Sequence, residues 1–190
     1  MAGFQQPGLN YGTYYSSQPA KKRVPKTALI IGLVLAVILG GGMLVLTLNS
    51  SNSRNDITFL AVRENSLLAL ANASQKSIRD PDLSTANSNA TLLLQSDVAT
   101  MVTDTDIKKL PEDLVKKEAD THTDALKQAS LLNKFDTTYR QIVLDKVSAL
   151  ITQAQTVRTN TSGKKSRAVV DQAIKNLQSI DKQFTALTIQ

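Results

Sequence analysis

Apolar positions along this chain follow two different rules. From Thr27 to Leu48, TALIIGLVLAVILGGGMLVLTL, 22 residues pass without a charge. At about 1.5 Å of rise per residue, a helix of that length crosses the roughly 30 Å hydrocarbon layer of a bilayer. From Ile57 onward the apolar residues recur instead at intervals of three and four, the spacing of helices that bury one face. The pattern predicts an all-α protein: a single N-terminal transmembrane helix over 27–48, followed by an antiparallel helical bundle of four to five helices over 56–190.

Within that domain, Ile57, Leu60, Ala61, Leu67, Leu68, Ala71 and Ile78 mark a first helix, expected to stop where Asp80-Pro81 makes continuation costly. Pro81 then opens a second helix carrying Leu83, Ala86, Ala90, Leu93, Leu94, Val98 and Met101, which frays in VTDTD. Leu110-Pro111-Glu112-Asp113 reads as a third start, with the stripe Val115, Ala119, His122, Leu126 and Ala129. Asn133 or Asp136 is placed to cap a fourth helix with Tyr139, Ile142, Val143, Val147, Leu150, Ile151, Ala154 and Val157. Whether segments 111–132 and 135–158 form a hairpin or one kinked helix stays open, because Asn133 is a weak breaker. TNTSGKK is a turn, and Val170, Ala173, Ile174, Leu177, Ile180, Phe184 and Leu187 mark the last helix.

Charge fixes the orientation. The chain of 190 residues carries a formal +6, of which Lys21, Lys22, Arg23 and Lys26 supply four charges immediately before the apolar run. Basic residues beside a span are retained in the cytoplasm, so residues 1–26 are expected inside and the C-terminal domain outside the cell membrane. The remaining charges nearly balance, which disfavours nucleic acid as a partner. A cleaved signal peptide fits less well than a signal anchor: the run is too long for an h-region, and LNSSNSRND after it offers no A-x-A-like cleavage site. Residues 1–20 have no charged side chain and hold Tyr11, Tyr14 and Tyr15, the composition of a disordered tail, and 49–55 reads as a polar linker. Inside the span, Ala28, Gly32, Ala36 and Gly40 recur every four residues. Such a ladder suits a homodimer seam, the alternative being ordinary membrane-helix composition.

Candidate chemistry is sparse. Cysteine is absent, which removes disulfides, thiolate metal sites and thiol nucleophiles. His122 is the only histidine, with Glu118 four residues before it, and the chain has three glutamates, Glu64, Glu112 and Glu118. Catalytic, cofactor-binding and metal-binding residues are accordingly all predicted as none. Glu64 and Asp97 lie near apolar stripes and are expected at the stripe edges with their carboxylates in water. SGKKS at 162–166 lacks the upstream glycine of a phosphate loop, since position 158 is Arg158. Sequons at Asn49, Asn72, Asn89 and Asn160 lie on the expected external side.

The segments KKEADTHTDALKQASLL and FDTTYRQIVLDKVSALITQAQ resemble the bacterial exported ferritin-like four-helix bundles known as predicted outer-membrane proteins, with their D-H-T and F-D-x-x-Y elements. The resemblance covers two helices. Asp120-Thr121-His122-Thr123 has an insertion in the first element, and Lys146 or its neighbours stand where the second histidine would fall. The resemblance implies a bundle fold and an envelope location, without a metal site. The expected function is a structural or interaction module of the cell envelope with an unidentified envelope protein partner. A small-ligand-binding, sensor-like ectodomain is the alternative, and an enzyme is the reading least motivated.

Overall fold

The computed structural model describes residues 53–188 apart from 107, 108 and 120. Among them are six helices and no strands: α1 (Ser53–Ser74), α2 (Pro81–Asp104), α3 (Glu112–Lys117), α4 (Thr123–Leu131), α5 (Phe135–Asn160) and α6 (Lys164–Ala186). None of these is long and apolar enough to cross a membrane. Lys21, Lys22, Arg23 and Lys26 and the ladder Ala28, Gly32, Ala36 and Gly40 lie outside the described residues.

The four long helices form the bundle. α1 packs on α2, α2 on α6, α6 on α5 and α5 back on α1, closing a ring. The ends fix the directions. Arg54, at the start of α1, donates from Nε to the carbonyl of Thr105 just past α2, and Lys165 Nζ lies 3.7 Å from Asp104 Oδ1. At the opposite end the Asp136 carboxylate accepts from the backbone N–H of Asp80 at 2.8 Å, and Arg140 Nε donates to the carbonyl of Phe184 at 2.7 Å. Each long helix is therefore antiparallel to both of its neighbours. Across the diagonal, α2 and α5 run the same way. The connection from 105 to 134 must consequently climb the full bundle, about 36 Å for a 24-residue helix, and it carries α3 and α4 as it does so.

Local chemistry sets the boundaries. α1 ends at Ser74, earlier than the Asp80-Pro81 stop that the sequence suggests, and Ile78 packs on the core from the loop. α2 begins as expected, with Pro81 in its first turn and the Asp80 carboxylate accepting from Leu83 N–H at 2.8 Å. α1 also begins at Ser53, inside the stretch expected to be linker.

The third predicted helix is two. Its apolar spacing runs in phase from Val115 to Ala129, but the helix breaks after Lys117, and His122 occupies the cap position of α4 rather than a stripe. The open choice between hairpin and kinked helix resolves at Asn133. That residue takes φ 54°, the left-handed region open to asparagine. Lys134 N–H then bonds Ala129 O at 2.8 Å and Asn133 N–H bonds Ser130 O at 3.2 Å, the paired closure of a Schellman motif. Asn133 thus terminates α4 and does not cap α5, and Asp136 serves the α1–α2 turn instead.

The core lies inside the ring. α5 buries Tyr139, Ile142, Val143, Val147, Leu150, Ala154 and Val157, and α6 buries Val170, Ala173, Leu177, Ile180 and Phe184. α1 has a wider buried arc, Val62 included, because the crossover helix α3 rests on it as well as α2 and α5.

Candidate functional site

Two places in this bundle combine unusual chemistry with definite geometry. The first is interior. Glu64 of α1 is wholly buried, and neither carboxylate oxygen has a hydrogen-bond partner in the structure. Asp97 of α2 is 3 % exposed, accepts from Asn176 Nδ2 of α6 at 2.7 Å through Oδ1, and leaves Oδ2 unpartnered. Both residues were expected at stripe edges with their carboxylates in water; closure of the ring puts them inside. Burial pushes the Glu64 carboxyl well above the usual carboxylate range, and the neighbouring Asp97 charge raises it further. Burial raises Asp97 to about 6, against the Asn176 hydrogen bond, which favours the ionised form. The two carboxyls, on neighbouring helices, are not hydrogen-bonded to each other, and burial favours the protonated form of each.

The second place is open to solvent. Where the crossover breaks between α3 and α4, it leaves a groove of about 350 Å³ over the α1–α5 seam. Its apolar side is made by Leu67 of α1 and by Ile142 and Leu150 of α5, all buried. Its polar side gathers Arg63 and Ser66 from α1, Lys117, Glu118 and His122 from the crossover, and Asp145, Lys146 and Gln153 from α5. Arg63 ties the three walls together. Its Nη1 donates to Gln153 Oε1 at 2.9 Å, and its Nε lies 3.3 Å from Glu118 Oε2, an ion pair without hydrogen-bond alignment. One helical turn on, the buried Ser66 Oγ has no hydrogen-bond partner, although a helical serine can bond back to the carbonyl four residues earlier.

The residues singled out in sequence are thus partly brought together. Glu118, His122 and Lys146 meet at the groove, whereas Glu64 and Asp97 belong to the interior and not to the surroundings of His122. Among the described residues, no three His, Cys, Asp or Glu side chains gather as metal ligands. Sequence reasoning missed Arg63, Ser66 and Gln153. Arg63 and Glu118 are 55 positions apart in the chain, and only the crossover's path over α1 joins them. A second depression at the far end, about 480 Å³ and lined by Arg79, Asp80, Asn133 and Asp136, is already occupied by turn-closing hydrogen bonds among those residues. No family model matches the chain, and comparison with curated proteins and with solved structures gives no significant match.

Proposed function

We propose that this chain is a single-pass membrane-anchored protein of the cell envelope, whose external helical bundle holds a small ligand in the groove between α1, α5 and the crossover. The groove carries the reading: it is concave, has an apolar side made of core residues, and converges several polar groups on one space, as ligand sites do. The enzyme reading needs perturbed acids around His122, and the perturbed acids are Glu64 and Asp97. A purely structural or interaction module is favoured by one observation, the exposure of Leu131 and Leu132 side by side at the end of α4. The likeness to exported ferritin-like bundles enters the proposal at the level of connectivity, since bundles with one long crossover include that class.

Anchoring follows from Thr27–Leu48 and the basic cluster before it. A reporter that fluoresces only in the cytoplasm, fused after Gln190, should stay dark in intact cells; a bright fusion would reverse the orientation. For the groove, the full chain in lipid nanodiscs, with methyl-labelled leucine and isoleucine, is to be screened with a fragment library. Hits are expected to shift the methyl signals of Leu67, Ile142 and Leu150. Hits that shift only Leu92, Leu131 and Leu132, or none at all, would overturn the binding reading in favour of the interaction module.

A further inference from the structure

We infer that the groove selects a small organic carboxylate with an apolar body, an inference that rests on the binding reading above. The polar atoms left unsatisfied there decide the sign of the ligand. Arg63 and Ser66 line the groove, three residues apart on one face of α1, and Arg63 Nε and Ser66 Oγ are buried behind its surface without a hydrogen-bond partner. A buried donor left unmade is costly, and an ionised acceptor placed between a guanidinium and a hydroxyl satisfies both at once. Charge agrees with that assignment: Arg63, Lys117 and Lys146 outnumber Glu118 and Asp145 around the groove.

The apolar half of the groove decides the rest. Leu67, Ile142 and Leu150 back the groove beside the donors, and the exposed Ala119 and Ala149 add hydrocarbon at its edge, so a short branched chain would cover apolar surface that a bare inorganic anion would leave in water. Glu118 acts in this arrangement as a competitor. Its carboxylate stands 3.3 Å from the guanidinium the ligand would engage, and an incoming carboxylate must share Arg63 with it. Removing the Glu118 charge should therefore tighten carboxylate binding, an outcome that a purely structural Arg63–Glu118 pair would not give.

The test uses the full chain in nanodiscs and three probes of one shape: 3-methylbutanoate, 3-methylbutanamide and 3-methylbutylamine, each titrated against the methyl signals of Leu67, Ile142 and Leu150, with protein-free nanodiscs as the blank. The carboxylate should bind at least about tenfold more tightly than the amide or the amine. Ser66→Ala should weaken it about tenfold, the scale of one hydrogen bond to a charged group, and Glu118→Gln should strengthen it. Both variants change one polar atom group on a formed bundle, and an unchanged helical signal verifies their folding. Equal binding of the three probes at the same methyls would overturn the carboxylate assignment while leaving the groove a binding site. Preference for the amine would overturn it likewise. If none of the three moves those methyls, the assignment falls, and the fragment screen decides separately whether the groove binds anything.

Discussion

Asp97→Asn is expected to make the bundle more stable at pH 8, by on the order of 2 kcal/mol, and to have little effect near pH 4. The expectation follows from proton linkage. Asp97 is raised to about 6 in the folded protein by burial, while an unfolded aspartate titrates near about 3.9. Between those values the folded state binds more protons than the unfolded state, so stability falls as pH rises through the interval and the loss is complete above it. The full shift would correspond to nearly 3 kcal/mol, discounted here for residual solvent screening of the group. Asparagine keeps the oxygen that accepts from Asn176 at 2.7 Å and removes the charge. Glu64 has the same sign: burial first, and then the Asp97 charge, raise its carboxyl, so Glu64→Gln should also flatten the alkaline fall. Denaturant unfolding of the native chain and each variant at pH 4, 6 and 8 gives the difference directly. An Asp97→Asn curve running parallel to the native one across that range would mean that the carboxylate is ionised at no cost, through a partner or solvent that the packing does not show.

The buried acids show why one part of this molecule was legible and another was not. The stripes of α5 and α6 predict their buried residues almost one for one, because a helix on the wall of a closed ring exposes one face and hides the other. The acids differ in another way. Glu64 falls three or four residues from Leu60, Ala61, Leu67 and Leu68, in the middle of its helix's apolar spacing, so the spacing points inward and only the cost of burying a carboxylate points to water. The third stripe misled for a separate reason. Val115 to Ala129 keeps helical phase across Ala119 and Thr121, yet the chain leaves the helix there, and spacing alone cannot register a break that preserves phase. The groove depends on that same break. Its defining contact joins residues 63 and 118 through tertiary topology, and no local pattern encodes it.

The largest single loss of stability is expected from Tyr139→Ala, roughly 3–5 kcal/mol with an unsatisfied polar group added to the cavity. Tyr139 is fully buried. Its ring stacks on Phe135 with centroids 6.0 Å apart and meets Phe184 edge-on at 6.4 Å, so one side chain links the start of α5 to the end of α6. Its hydroxyl donates to Asn87 Oδ1 of α2, and Asn87 Nδ2 in turn donates to the carbonyl of Ala71 in α1 at 3.0 Å and to Gln75 Oε1. Burial holds the phenol proton firmly by pushing its pKa up, which keeps the hydroxyl a donor throughout the range in which the acids titrate. The chain of bonds reaches Ser84 through Gln75 Nε2 at 2.9 Å, tying both sides of the α1–α2 turn to α5 across the bundle. Tyr139→Phe separates ring from hydroxyl. It keeps the aromatic contacts and should cost only about 1–3 kcal/mol, the scale of leaving Asn87 Oδ1 without its donor. Asn87→Leu loses the bonds to Ala71 and Gln75 as well, but combined with Tyr139→Phe it should cost less than the sum of the two single losses, because both ends of the Tyr139–Asn87 bond are then apolar. Additive losses in the double variant, measured by denaturant unfolding of the full chain, would show that the hydroxyl and the amide act independently and that the ring packing alone holds α5 to the opposite side.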